Sequence, residues 1–201
     1  DIIALRDIMK RKDFIVLNNS LRHKKVSLEK INKMVDEGKA KQLVQESEAF
    51  FYNQIEEIID DMLSQKKKLL FLAGPSSAGK TTTAKLLQIF LKQKNISSEF
   101  VSLDDFLLPH ENRVLLANGK VDFESVFALD IPLINEFLDQ ILSTGQAQSP
   151  KFDMQTNKRC EKGENKTLSK NGILIVEGIH ALNPLIISPH SDSAYTVSLC
   201  P

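Results

Sequence analysis

The sequence predicts an α/β protein in three layers, a mostly parallel β-sheet between helices, preceded by a helical N-terminal appendage. Three observations predict it. Short apolar runs without alternation, Leu69 to Ala73 and Ile173 to Val176, have the composition of strands buried on both faces. Helix-period segments lie between them, as crossovers joining parallel strands require. The first run also feeds directly into a glycine-rich turn and a helix, Gly74-Pro75-Ser76-Ser77-Ala78-Gly79-Lys80-Thr81.

That turn has the spacing Gly-x-x-x-x-Gly-Lys-Thr, the Walker A pattern of P-loop proteins, in the strand-to-helix context it needs. Glycines let the backbone approach a ligand closely, and the following helix turns its N–H groups and positive dipole end toward phosphate. The expected nucleotide site is therefore Gly74, Pro75, Ser76, Ser77, Ala78, Gly79, Lys80, Thr81 and Thr82. Lys80 would reach the β- and γ-phosphates, and the Thr81 hydroxyl would bind Mg²⁺.

In chain order, residues 1–65 read as a helical segment and 66–201 as the P-loop core. Leu28, Ile31, Met34 and Val35 are spaced for one helix, with Ser27 as its N-cap and Gly38 as its stop. A second helix covers about Val44 to Leu63, with Phe51, Ile55, Ile58, Ile59, Met62 and Leu63 on its apolar face. The run Lys66-Lys67-Lys68 reads as a solvated entry to the first strand. Thr81 to Leu91 forms the helix after the phosphate loop, and Ala84, Leu87 and Leu91 share one face of it. Glu99 to Leu103 is the next strand, ending at Asp104 and Asp105, and residues 106–121 form a loop with turn signals at Pro109, Asn118 and Gly119. Ile131 to Leu142 is a helix with Asp130 as N-cap, Pro132 in its first turn and Gly145 past its end. Residues 146–170 are polar and suggest a small antiparallel excursion. Ser193 to Cys200 alternates at Tyr195, Val197 and Leu199 as a further strand.

Composition bounds the function. The chain has 201 residues, with Lys+Arg 26 and Asp+Glu 26, so its formal net charge of zero argues against a general nucleic-acid binder. The two cysteines, Cys160 and Cys200, suggest a reducing compartment and not a disulfide framework. With no apolar run of membrane length and no signal-peptide pattern, the expected location is the cytoplasm.

Two acids complete the chemistry. Glu177 ends a buried apolar strand, the Walker B position, where phosphoryl transfer needs a ligand for Mg²⁺. Asp104 ends another strand, and ligands of open α/β sheets bind beyond such carboxyl ends. It is the candidate base for an acceptor hydroxyl, while Asp105 should point to the opposite face if the strand continues. His180 reads as a hydrogen-bonded structural group.

These motifs occur together with Ser102-Leu103-Asp104-Asp105-Phe106, Asp122-Phe123-Glu124, Pro150-Lys151-Phe152-Asp153 and Val176-Glu177-Gly178-Ile179-His180-Ala181-Leu182-Asn183. In that combination the chain resembles the uridine kinase / phosphoribulokinase family. It is most similar to the uridine kinase-like branch whose longer members carry a threonyl-tRNA-synthetase-like N-terminal region. The resemblance implies an ATP- and Mg²⁺-dependent kinase acting on a sugar hydroxyl, with a small-molecule acceptor, a nucleoside among the candidates. It assigns catalysis to Asp104 with Lys80, and acceptor binding to Asp122, Phe152 and Arg159. Phe152, Asn157 and Leu107 stand where uridine kinases place a tyrosine, a histidine and an aromatic residue, which argues against uridine itself. The resemblance also implies an Arg-rich lid beyond Leu199, so the 201 residues are expected to be either a fragment or an unusually short member. Two other readings stay open on sequence alone, a nucleotide-binding regulator with little turnover and a kinase of a non-nucleoside alcohol.

Overall fold

A computed structural model describes residues 28–109, 112–113, 118, 122 and 124–199. The expected N-cap Ser27, the turn residue Gly119, the motif residue Phe123 and Cys200 lie outside these residues. Helices α1 (Leu28–Asp36) and α2 (Ala40–Ser64) come first. Strand β1 (Leu69–Ala73), helix α3 (Lys80–Gln93) and strand β2 (Ser98–Ser102) follow. A 3₁₀ turn at Leu103–Phe106, a second at Val126–Ala128 and helix α4 (Ile131–Thr144) lead to the polar region. There β3 (Gln146–Ser149) pairs with β6 (Glu164–Thr167), and β4 (Phe152–Asp153) with β5 (Lys158–Arg159), both antiparallel. Strand β7 (Ile173–Glu177), the short helix α5 (Pro184–Ile187), a 3₁₀ turn at Ser188–His190 and β8 (Ala194–Ser198) are the last of the described elements.

The central sheet has the order β2-β7-β1-β8 and every pairing in it is parallel. Alternate side chains of its strands feed two apolar clusters. Leu69, Phe71, Leu174 and Val176 pack with α4 and α5, whereas Leu70, Leu72, Ile173 and Ile175 pack with α2 and α3. All five residues of β1 and of β7 are buried, which is why neither run alternates in sequence.

The C-terminal half of α2 packs on the core and forms part of the sheet's cover. Ile55, Ile58, Ile59 and Met62 are buried against Leu70, Leu72 and Ala84. Fully burying each such side chain stabilises by roughly 1.5–3 kcal/mol. Helix α4 begins and ends as its sequence directs, since the Asp130 carboxylate accepts from Leu133 N at 3.2 Å and Gly145 closes it at φ 75°. Lys67 is no simple solvated charge, for its ammonium donates to the carbonyls of Ser191 (3.2 Å) and Asp192 (2.9 Å). Among the described residues no helix is long and apolar enough to cross a membrane.

Candidate active site

The phosphate loop leaves the end of β1, where a side chain at position 74 has no room. A Cβ on Gly74 would lie 3.0 Å from the Leu199 carbonyl oxygen and 3.1 Å from its Cβ. Ser77 (φ 63°) and Gly79 (φ 84°) then reverse the chain through left-handed conformations. Gly79 is the N-cap of α3 and offers no side chain to the first-turn amides, and open space surrounds its missing Cβ. The amide donors of that turn are thus left to an anion. The Lys80 ammonium crosses back over the loop to the Pro75 carbonyl at 3.0 Å, placing its charge at the mouth of the cradle. A polyphosphate fits this arrangement, and the donor set at the helix start fits Mg²⁺. The Thr81 hydroxyl lies 3.3 Å from the Glu177 carboxylate, giving two hard oxygen ligands on adjoining elements.

Parallel pairing sets Glu177 level with Leu72 on one side and Ser102 on the other. Its residue is 6% exposed, and burial raises its carboxyl pKa above the usual range, with the Lys80 charge opposing and the Asp104 charge adding to the rise. The next residue, Gly178, is required by close approach, because a Cβ there would fall 2.8 Å from that of Leu103. This contact seats the 3₁₀ turn directly beside the end of β7.

Strand β2 stops at Ser102, one residue earlier than the sequence suggests, so Asp104 and Asp105 diverge for a different reason than strand alternation. In a 3₁₀ turn successive side chains differ by about 120° around the axis. Asp104 faces Lys80, Glu177 and His180. It reaches solvent, yet the protein around its carboxyl raises its pKa, the Asp105 charge adds, and Lys80 and His180 pull it back. Asp105 turns toward the β4–β5 hairpin and accepts from Lys151 Nζ at 3.2 Å and from Phe152 N at 3.3 Å.

Asp104 opens onto a pocket lined also by Leu103, Leu107, Ser125, Leu129, Ile179 and His180. The sequence reads His180 as a hydrogen-bonded structural group; its ring is hydrogen-bonded, and it also lines the same pocket as the candidate base. The ring is held by the Glu124 backbone carbonyl, and burial lowers its pKa. The placement of His180 three residues after the Walker B acid was the available signal.

The three expected acceptor residues sit apart from one another in role. Asp122 accepts from the amides of Glu124 (3.0 Å) and Ser125 (3.1 Å), shaping the segment before the Val126–Ala128 turn. Phe152 is buried, with the Arg113 guanidinium 5.0 Å above its ring. Arg159 donates to the Asp130 carboxylate (3.1 Å) and the Leu107 carbonyl (3.3 Å).

Residues 69–193 match the family model described as "Phosphoribulokinase / Uridine kinase family". A pantothenate kinase of Shewanella sp. (strain ANA-3) is 32% identical over 142 residues, covering 66% of this chain and 43% of the relative. A pantothenate kinase of Streptococcus thermophilus (strain LMD-9) is 30% identical over 121 residues, covering 58% and 39%. The chain thus spans about two-fifths of the length of these curated relatives. Among solved structures, a possible uridine kinase from Bacillus stearothermophilus superposes with TM-score 0.50 at 20% identity, covering 67% of this chain and 72% of that one. A D-glycerate 3-kinase from Cryptococcus neoformans gives TM-score 0.51 at 20% identity, covering 63% and 52%. These two structural likenesses concern the fold.

Proposed function

The chain belongs to the phosphoribulokinase / uridine kinase family, and from that premise we propose that it transfers the γ-phosphoryl group of ATP to a hydroxyl of a small non-nucleoside acceptor. The observation that carries this reading is the convergence of Lys80, Thr81, Glu177 and Asp104 at the carboxyl ends of β1, β2 and β7. The amides from Gly79 to Thr82 bind and orient the phosphates, and Lys80 counters the charge that accumulates on the transferring group. Thr81 and Glu177 would hold Mg²⁺, which supplies further charge stabilisation when bound. Asp104 orients the acceptor hydroxyl and takes its proton as the hydroxyl oxygen bonds to the γ-phosphorus and the bond from that phosphorus to the bridging oxygen of ADP breaks. A carboxylate with a raised pKa is the better proton acceptor near neutral pH.

The acceptor class is read from what Phe152, Leu107 and Arg159 offer. Phe152 lies under Arg113 and lacks a hydroxyl, Leu107 is buried, and Arg159 is paired with Asp130. None of these three presents a polar partner to a nucleobase edge, and a site that loses such partners loses discrimination for the base. The similarity to pantothenate kinases also favours a non-nucleoside hydroxyl compound. The test is phosphate transfer from ATP by the full-length protein to uridine, cytidine, pantothenate and D-glycerate. The expected result is a phosphorylated hydroxy acid, with the nucleosides at least tenfold poorer in kcat/KM. Uridine as the most efficient acceptor overturns the acceptor class. ATP binding without transfer to any alcohol replaces the kinase reading with the nucleotide-binding regulator.

A further inference from the structure

The turn that carries Asp104 is stitched to the β4–β5 hairpin at two points, Asp105 and Leu107, on either side of Phe106. At one point both oxygens of Asp105 are committed, Oδ2 to Lys151 Nζ at 3.2 Å and Oδ1 to Phe152 N at 3.3 Å. Its side chain is only 16% exposed, so this charge-assisted pair is partly shielded from water. At the other point Arg159, the cross-strand partner of Phe152, donates to the Leu107 carbonyl at 3.3 Å and to Asp130 at 3.1 Å.

The hairpin does not hold itself in place. Its strands are two residues each, far below the size at which a two-stranded ribbon is stable alone. Residues 105 and 107 are where these stitches fasten it to the core. The converse also holds, because the same stitches fix the strip from Asp104 to Leu107, and both end residues of that strip line the pocket. The Leu107–Leu129 bridge carries the constraint to a third lining residue.

We propose that Asp105 is a positioning residue, clamping the β4–β5 hairpin to the 3₁₀ turn so that Asp104 and Leu107 are held as one wall of the acceptor pocket. This rests on the phosphotransfer reading above. The clamp acts through Asp104 and does not touch the phosphates, so its loss is felt in acceptor recognition before nucleotide binding. The pair also joins residues 46 apart in sequence, fastening the hairpin directly to the catalytic turn.

The test uses Asp105→Ala, Lys151→Met and the double variant in the full-length protein. Two readouts are taken, hydrogen exchange at amides 152–159 without ligand, and the KM values for ATP and for whichever of pantothenate, D-glycerate or uridine the parent phosphorylates. Asp105→Ala removes charge-assisted bonds worth about 1.5–3 kcal/mol, so exchange should quicken roughly 10- to 100-fold, whereas Lys151→Met removes only the half-exposed pair and should quicken it about 2- to 5-fold. The acceptor KM should rise about tenfold with the ATP KM within twofold, and the two single changes should be non-additive. Lys151 is exposed enough that Lys151→Met keeps the fold if Asp105→Ala does not. Unchanged exchange in the Lys151 variant, or both KM values moving together, overturns the clamp. Faster exchange in a protein whose parent phosphorylates none of the alcohols keeps the clamp of the hairpin, and that result removes the phosphotransfer reading and the acceptor role with it.

Discussion

The Thr81 hydroxyl meets the Glu177 carboxylate across 3.3 Å, joining the first turn of α3 to the last residue of β7. Thr81 and Glu177 are 96 residues apart in sequence, and parallel pairing of β1 with β7 brings them together. The contact places a neutral and an anionic oxygen at the mouth of the phosphate loop, where a divalent cation would complete the charge balance.

Glu177→Gln keeps the Thr81 contact but removes the charge. The Mg²⁺ concentration for half-maximal turnover should rise at least tenfold, because outer and inner ligands of a metal typically contribute that much. Stability should move the other way. Burial raises the Glu177 pKa above its unfolded value, so the fold is less stable once pH climbs through that window and the group must ionise. In metal-free buffer near neutral pH the variant should therefore unfold at a higher urea concentration than the parent. The difference should vanish in acid, below the unfolded carboxyl pKa. A less stable variant at neutral pH would contradict the assigned burial cost.

Lys80→Ala should leave the fold intact and remove productive ATP use. Lys80 makes one hydrogen bond, to the Pro75 carbonyl, and its charge offsets Asp104 and Glu177, so its loss should cost about 1 kcal/mol or less in stability. Loss of a charge that stabilises the transferring phosphoryl group costs about 10² to 10³ in turnover. Thermal unfolding and turnover measured on the same preparation separate the two effects, and equal turnover in variant and parent would refute the role.

Tyr195→Phe tests how α2 is held to the sheet. The Tyr195 hydroxyl donates to the Asp61 carboxylate at 2.6 Å, and burial raises the phenol pKa well beyond neutral, so it stays a donor. Hydrogen bonds to charged groups contribute about 1.5–3 kcal/mol. Asp61 also accepts from Gln65 at 3.1 Å and is half-buried, so a loss of about 1–2 kcal/mol is expected in urea unfolding, somewhat below that range. No change in midpoint would mean that α2 is anchored by its apolar face alone.

Local signals made the phosphate loop, both central strands and α4 legible. Glycine spacing, an unbroken apolar run and an Asp-x-Pro start each act over a few residues. What stayed hidden depends on contacts between distant segments. Strand β2 ends where Leu103 packs against Gly178, a contact no window around residue 103 contains. The hairpin at 152–159 is fixed by Asp105, Asp130 and Leu107, none of them within its own sequence. The motifs placed Asp104 and Glu177 near one phosphate site, but the pocket that joins Asp104 to His180 and Ser125 needed the folded chain.

Asp104→Asn is the sharpest test of the proposed chemistry. The change preserves shape and most hydrogen bonding while removing the proton acceptor and the negative charge. General-base contributions are typically about 10² to 10⁴, and a loss of that size is expected in kcat with the ATP KM little altered. In the parent, turnover should fall in acid as Asp104 gains a proton. Because the surrounding protein raises its pKa, that limb should lie above the pH range of an ordinary aspartate. The variant should lose this limb or show one belonging to Glu177 alone, whose titration is linked to Asp104 by their mutual repulsion. Asp105→Asn offers the contrast. It keeps an oxygen for the Phe152 amide but ends the ion pair with Lys151, so its cost should appear mainly in the acceptor KM, with a smaller fall in kcat. If Asp105→Asn proves the more damaging to kcat and also abolishes the acid limb, Asp105 and not Asp104 is the base. If neither change affects turnover, proton removal by this turn is not part of the reaction.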